Sequence, residues 1–496
     1  MNTFTASPSF ILVVALTGCA VGPRFEAPKI DVPERFASST NTDSATKSTT
    51  SPEADWWRQF DDESLNGLID LAARDNLDLE VLRQRVRQAR ALRRATSAGL
   101  FPSIGSSASY GTFRLSENAP GGIGSLAGAG LADLDGDLFR AGFDASWEID
   151  AFGGTRRRIE RDDAVTLQLE EQHRDLIRIV VSEIARNYIE LRGTQRRYDV
   201  AVRNAEVQSE TLELVTSRFD AGLASSLDVE RARSQASATR ARLPTLRAAV
   251  RASIHLLGVL TGREPGAELE NLLSTKPLPE MPRGIEVGVP SELLRRRPDI
   301  RASERALEAH TAAVGVAVAD LYPKFFLTGT AGLESLSFSD LFTGASRTWT
   351  LGPTLSWPVF QFGRLRARVE ASEAALDASY ATYRQTVLLA IEESENALVR
   401  LEERGRESQE LGKSVEAARR SVRLARNLYE DGLEDLLSVL DAERQQRELE
   451  DRLVASRTAT LIEVVRLYKA LGGGWQGFSP RSPRVGNETT ELVSYP

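Results

Sequence analysis

The sequence predicts an α+β membrane protein built from two copies of one unit, a strand pair followed by a long helical hairpin, with too few strands in one chain to close a barrel. Three observations predict it. The first is a repeat at an offset of 210 residues, the kind of self-similarity that decides a fold before any local reading. Ser146 and Trp147 recur as Ser356 and Trp357, Phe152 and Gly153 as Phe362 and Gly363, Arg156 and Arg158 as Arg366 and Arg368, and Glu160 as Glu370. The register continues without a gap through Glu183 and Glu393, Leu191 and Leu401, and Gly262 and Gly472. The second observation is alternation. Phe143, Ala145, Trp147 and Ile149 alternate with Asp144, Ser146, Glu148 and Asp150, and Trp349, Leu351, Leu355 and Trp357 alternate with Thr350, Thr354 and Ser356, a period of two that means strands. The third is a heptad seam beyond each strand pair: Ile177, Val181, Ile184, Tyr188 and Leu191 are matched by Val387, Ile391, Ser394, Leu398 and Leu401.

Composition narrows the class. Among 496 residues, 27% are charged and 41% hydrophobic, near the values of folded proteins (about 25% and 45–50%). The net charge of -8 and the lack of a basic block argue against nucleic acid, whose phosphates demand one. Residues 1–18 read as a signal peptide. The apolar run Phe10 to Leu16 is far below the roughly 20 residues of a spanning helix, although Met1 to Phe10 carries no Lys or Arg where a signal peptide normally has a positive region. Leu16, Thr17, Gly18 and Cys19 resemble a bacterial lipoprotein processing site. That resemblance implies a mature chain beginning at Cys19, with a diacylglycerol on its thiol and an acyl chain on its amine, a covalent palmitate-type anchor and no other cofactor. Ala20 next to it, in place of aspartate, favours the outer membrane. As the sole cysteine, Cys19 leaves no disulfide and no cysteine metal site, and His173, His255 and His310 lack ligand spacing.

Residues 19–55, rich in Pro, Ser and Thr, read as a lipid-anchored extended linker, and 56–99 as two N-terminal helices. The change at Phe101 and Pro102 to Ser, Gly and alternating apolar residues opens the first repeat, 101–275. Tyr322 and Pro323 echo that pair at a longer offset. Gly153 to Asp220 is a nearly unbroken helical pattern, on the order of 100 Å at 1.5 Å per residue, ended by Gly222 at the position glycine favours beyond a helix. The next helix starts at Ser225, with Asp228 as capping-box partner; Asp435 and Ser438 hold those positions in the second copy. An inter-repeat linker at 276–297, the second repeat at 298–472 and a flexible tail at 473–496 complete the chain. Ser116 to Asp137 and Ser335 to Arg347 are Gly-rich loops at one rim. Four strands cannot close a membrane barrel, since the smallest single-chain barrels have eight and lipid forbids open edges. Several chains are needed.

The residues also resemble a known family, the TolC-like outer membrane factors, in the OprM/NodT-like lipoprotein branch. The resemblance rests on Cys19 followed by Val21, Gly22, Pro23 and Arg24; on Trp56, Trp57 and Phe60; on Trp147 to Gly153; on Arg297, Pro298, Asp299, Ile300 and Arg301; on Gly352, Pro353 and Trp357 to Phe360; and on Leu471 to Trp475. It covers Cys19 to Trp475. It implies a homotrimer with a 12-stranded outer-membrane β-barrel continuous with a periplasmic α-helical barrel of twelve long helices. A belt around the cylinder would hold the N-terminal helices, the inter-repeat segment and the C-terminal region. It further implies a passive exit duct for a tripartite multidrug or metal efflux system, partnered by a periplasmic membrane-fusion adaptor and an inner-membrane pump of the resistance-nodulation-division type.

From the same resemblance, Gly222, Leu223, Gly432 and Leu433 match the helix tips that meet the adaptor; the plainer reading is that each glycine ends a helix and each leucine packs below it. Asp441, two turns into its helix and beyond capping range, matches an aspartate that narrows the periplasmic aperture. Three copies would form an acidic ring that attracts cations; the plainer reading pairs Asp441 with Arg444 on a helix surface. Ser438 stands where relatives often carry a second acidic aperture residue, and Asp228 is explained by its cap. Trp147, Trp349 and Trp357 fit an interfacial aromatic girdle or core packing. A periplasmic coiled-coil structural lipoprotein would explain the lipid site and heptads but not the strands. No phosphate loop, nucleophile motif or metal spacing suggests an enzyme. The exported substrate stays open among drugs, solvents, lipids and peptides, with two methionines and no histidine cluster disfavouring soft metals.

Overall fold

The computed structural model describes residues 20–39, 54–116, 118, 133–282 and 289–478; Cys19 and most of the first rim loop lie outside them. Two short N-terminal helices, α1 (Glu63–Asp75) and α2 (Leu77–Ala98), precede strands β1 (Ser103–Arg114) and β2 (Asp135–Ile149). The first hairpin follows as α3 (Gly154–Asp220), α4 (Ser226–Arg240) and α5 (Arg242–Leu260). Short helices α6 (Leu269–Leu272) and α7 (Pro290–Arg296) lead to α8 (Pro298–Ala319), β3 (Lys324–Ser335), β4 (Arg347–Ser356) and the second hairpin, α9 (Arg364–Glu430) and α10 (Leu436–Ala470). Helices α3 and α9 are each 67 residues long. The chain divides into a strand-bearing unit (residues up to Lys29, Arg85–Leu169, Ser303–Tyr383) and a helical unit (Ile30–Gln84, Glu170–Ala302, Arg384 onward).

In the strand-bearing unit the four strands form one antiparallel sheet in the order β1-β2-β3-β4. Ser103 faces Ser146, Phe139 faces Ser335, and Lys324 faces Ser356. The β2–β3 pairing brings two backbones together at facing glycines, Gly142 and Gly332. A Cβ on Gly142 would stand 2.9 Å from Ala331 O, and one on Gly332 would stand 2.6 Å from Ala141 O, so no other residue fits without shifting a strand. Aromatic side chains fix the ends of the pairings. Trp147 Nε1 donates to Leu100 O (2.9 Å) and Trp357 Nε1 to Leu321 O (3.1 Å), while Phe152 stacks on Tyr322 with ring centroids 4.6 Å apart. Trp147 is half-buried, whereas Trp349 and Trp357 are 75% and 53% exposed, so core packing does not account for the latter pair.

The residues just after Cys19 are bound within this unit. Val21 N–H donates to Phe152 O (3.2 Å), and the buried Arg157 guanidinium donates to Val21 O (3.0 Å) and Gly22 O (3.2 Å). Gly22, at φ +87°, runs against Gly315 Cα, 2.6 Å from where a Cβ would sit. Only glycine combines that conformation with that approach.

The helical unit is organised by one core. Trp56, Trp57 and Phe60 pack with Leu65 and Ile69 of α1, the heptad stripe of α3 (Ile177, Val181, Ile184, Tyr188, Leu191), Ile254 and Leu257 of α5, and Val464 and Tyr468 of α10. Trp56 stacks on Tyr468 at 5.0 Å. Asp62 caps α1 by accepting from Ser64 N and Leu65 N, and its other oxygen accepts from Tyr188 OH (2.6 Å). Phe36 is buried, and Ala37 N and Ser38 N donate to Glu395 (2.6 and 3.0 Å). The first hairpin departs from the expected pair of long helices: its return helix is broken at Ala241. Pro244 is the cause, because it offers no N–H to Arg240 O and its ring crowds that carbonyl. Val454 stands 210 residues later, and α10 is continuous there.

Candidate functional site

Both hairpin turns are set by glycines in the left-handed conformation, Gly222 at φ +76° and Gly432 at φ +75°. Gly222 N–H donates to Phe219 O (2.8 Å) and Leu223 N–H to Arg218 O (2.8 Å); Gly432 N–H donates to Tyr429 O (3.1 Å) and Leu433 N–H to Leu428 O (2.8 Å). These are the paired bonds of a Schellman motif, which satisfies carbonyls a helix end would leave open. A Cβ at either glycine would meet nothing within 4 Å. Leu223 and Leu433 are 69% and 72% exposed, and Leu227 and Leu437 beside them are exposed too. The leucines therefore do not pack below the turns, contrary to the plainer reading, and each turn presents an apolar tip.

Beneath the tips the two hairpins meet around Val215, Val229, Ala232, Tyr429, Leu436, Val439 and Leu440. Arg218 reaches across: its Nη1 donates to Tyr429 O and Glu430 O (both 3.2 Å), and its guanidinium lies 4.7 Å over the Tyr429 ring. Further along, the buried Glu443 of α10 accepts at one oxygen from Thr211 Oγ1 of α3 (2.9 Å) and from Nε and Nη2 of Arg426 in α9 (3.0 and 2.6 Å). One carboxylate thus ties three helices.

The sequence-predicted aperture residues fall into different settings. Ser225 N–H donates to Asp228 Oδ2 (3.1 Å) and Asp228 N–H to Ser225 Oγ (3.2 Å), a complete capping box. Ser438 N–H donates to the N-cap Asp435 (3.0 Å), and its hydroxyl donates to Glu434 and Asp435. Asp441 is exposed and pairs with Arg444 at 2.5 Å, the i+3 partner its spacing suggested.

A second ionic centre, in the same unit, was visible only as a sequence motif. Arg297 clasps Asp299 with two nitrogens (3.0 and 2.6 Å) and donates to Glu393 (2.7 Å) and to Ala470 O at the end of α10 (3.0 Å). Arg178 donates to Asp175 (2.6 and 2.9 Å) and to Lys469 O (2.7 Å). Arg301 pairs with Glu171 at 2.5 Å and lies over Trp475. Burial by itself pushes the Asp299 carboxyl up, but the hydrogen bonds and charge of Arg297, with Arg178, outweigh it and hold the group below the ordinary carboxylate range. For Asp175 burial wins over the pull of Arg178, and the charge of Asp299 adds to the rise. Among the described residues no group of three or more His, Cys, Asp or Glu side chains is placed to hold a metal ion.

One four-stranded sheet is thus built from two strand pairs, each followed in sequence by a long helical hairpin. The model of the outer membrane efflux protein family matches residues 68–263 and 289–473. The chain belongs to that family. This outer membrane efflux protein is 30% identical over 474 residues to nodulation protein T of Rhizobium leguminosarum bv. trifolii, covering 95% of this chain and 97% of that one. It is 29% identical over 477 residues to the solvent efflux pump outer membrane protein SrpC of Pseudomonas putida, covering 95% and 98%. Among solved structures, the outer-membrane channel OprN aligns with a TM-score of 0.84 at 36% identity, over 92% of this chain and 100% of that one. The protein is an outer-membrane efflux channel component, the exit duct of a tripartite system, and the structural-lipoprotein reading gives way to it.

Proposed function

We propose that three copies of this outer membrane efflux protein form one duct. In it twelve strands make the outer-membrane barrel, the helical hairpins line the periplasmic passage, and Cys19 carries the lipid anchor. The observation that carries assembly from several copies is the sheet: four strands with both outer edges unpaired satisfy lipid only when further strands close the ring; the count of three follows the family resemblance. The internal duplication then gives a ring of six strand pairs and six hairpins. The exposed apolar tips at Gly222–Leu223 and Gly432–Leu433 are the surfaces that meet a periplasmic adaptor, which in turn engages an inner-membrane pump of the resistance-nodulation-division type. Asp441 of each copy narrows the passage near those tips. The relative named for solvent efflux supports small organic molecules as cargo, with selection made by the pump.

Gly222→Trp and Gly432→Trp test the docking role. A Cβ at either position meets no atom of its own chain, but the left-handed φ strains any side chain there, so assembly of the duct is checked first; in the assembled duct, crosslinking to the adaptor in cells should fall to background. Unchanged adaptor crosslinking would remove the tips from the docking surface.

A further inference from the structure

The pairings inside the strand-bearing unit obey two offsets. Positions of β2 map onto β4 210 residues later, with Gly142, Ser146 and Trp147 recurring as Gly352, Ser356 and Trp357, and positions of β1 map onto β3 221 residues later, with Gly111 recurring as Gly332 and the flanking Leu100 and Pro102 as Leu321 and Pro323. Ser103 facing Ser146 becomes Lys324 facing Ser356, and Arg114 facing Asp135 maps to Ser335, the last residue of β3, and Ala345, just before β4. The anchoring bonds follow the same rule: Trp147 to Leu100 becomes Trp357 to Leu321. The β1–β2 and β3–β4 pairings are therefore the same pairing made twice. The β2–β3 pairing, by contrast, is made once, and its counterpart would need β4 and β1, the two strands left with an open edge.

We propose that β4 of one copy pairs with β1 of the next in the register that the β2–β3 pairing dictates, placing Gly352 opposite Gly111 of the neighbouring copy and Phe362 on the neighbour's Phe101. This deepens, and rests on, the oligomeric reading above. Gly142 and Gly332, the facing pair that admits no Cβ, map onto Gly352 and Gly111. Both of these are glycine, and in a single chain a Cβ at either meets nothing within 4 Å. Two glycines without any crowding inside their own chain have a steric reason to be glycine only if another backbone approaches them. Phe152 and Tyr322, stacked at 4.6 Å, map onto Phe362 and Phe101. Those two rings are 91% and 70% exposed, and Phe362 holds a left-handed φ of +49°, which an aromatic residue adopts at a cost. The same register sets Leu355 against Ala108, Leu351 against Thr112 and Trp349 against Arg114 of the neighbour. Pro353 has no N–H and so donates nothing to the ladder at its position, opposite Tyr110.

Paired cysteines in the full-length protein, in outer membranes, test the register. Leu355→Cys with Ala108→Cys should give a ladder of covalent oligomers on oxidation. Leu355→Cys with Ser106→Cys or with Tyr110→Cys should not, because a two-residue slip moves the partner by about 7 Å along the strand, to the limit a disulfide bridges, about 7 Å between Cα atoms. The single variants control for Cys19. Gly352→Val and Gly111→Val, harmless within one chain, should each reduce the oligomer recovered in detergent, and Phe362→Ala should lower its dissociation temperature. A displaced pair that crosslinks while the Ala108 pair does not would overturn the register and leave the oligomer standing. A monomer by native mass spectrometry, with no pair crosslinking, would overturn the oligomer and the register with it. Full oligomer recovery from both glycine variants would show that no backbone approaches there, and would also overturn the proposal.

Discussion

Arg218, four residues before the left-handed Gly222 of its own hairpin, spends its guanidinium on the other hairpin, lying over the ring of Tyr429 and donating to that residue's carbonyl and the next. The position 210 residues on is Leu428, so the tie runs one way. Replacing Arg218 with leucine, the residue of the other copy, tests it. Loss of the charge-assisted bonds and the cation–π contact should cost about 1–2 kcal/mol, seen as faster proteolysis at the two turns with the strand-bearing unit unaffected. Equal protease sensitivity would mean the apolar cluster alone holds the hairpins together.

Glu443 should matter more. Its side chain is 4% exposed against 31% for Arg426, and removing it strips the half-buried guanidinium of its carboxylate, leaving Arg426 only Thr211 Oγ1 (3.0 Å) among these contacts, while the Thr211 hydroxyl falls back on Val207 O. Glu443→Ala should destabilise by roughly 2–4 kcal/mol. The double variant Glu443→Leu with Arg426→Leu should cost less than the two single changes added, because no charge is then stranded. Chemical denaturation of the four proteins decides it, and strict additivity would deny the coupling.

Asp441 and Arg444 are both more than half exposed, so solvent screens their pair and it adds little to stability. Asp441→Asn should therefore leave stability unchanged. Any rise in single-channel conductance, or loss of cation preference, in a planar bilayer then reports the passage and not the fold. Identical conductance and selectivity would remove Asp441 from the aperture.

The Arg297 centre makes a pH prediction. Asp299 has a folded pKa below its unfolded value, so the stability it contributes is present above about pH 3.9 and is lost as pH falls through the folded value. Asp175 acts with the opposite sign, because its raised folded pKa favours the protonated carboxyl and its contribution declines as pH rises. Asp299→Asn should be less stable at neutral pH and show a shallower loss on acidification. Thermal melts across the acid range check this, and a variant with the wild-type acid limb would place the sensitivity elsewhere.

What the sequence disclosed and what it hid divide by range. Gly222, Gly432 and the Ser225–Asp228 box were legible because each motif closes within about six residues and needs no partner beyond them. The heptad stripe was legible because Ile184 and Tyr188 recur with the helix period. Glu443 was not: a carboxylate among arginines on a helix looks like a solvated face, and nothing near it names Thr211 or Arg426. Arg297 and Asp299 stood out as a motif, but Glu393 and the carbonyl of Ala470 lie far away in the chain. Pro244 did carry a local signal, a proline inside a helical pattern, and the long-helix expectation passed over it. The exposure of Leu223 and Leu433 could not be read at all, since the same letters serve a leucine tucked under a turn and one projecting from it.

The facing glycines of β2 and β3 have a consequence for how such a protein can change over generations. Where a large side chain faces a small one, a substitution on one strand can be answered by a reciprocal change on the other, and the pair drifts while its summed volume holds. Gly142 and Gly332 are each already at the smallest residue available, so an enlargement at one has no compensating reduction at the other. The position is an evolutionary dead end in both directions, and sequences that share this register should keep both glycines while the residues around them diverge.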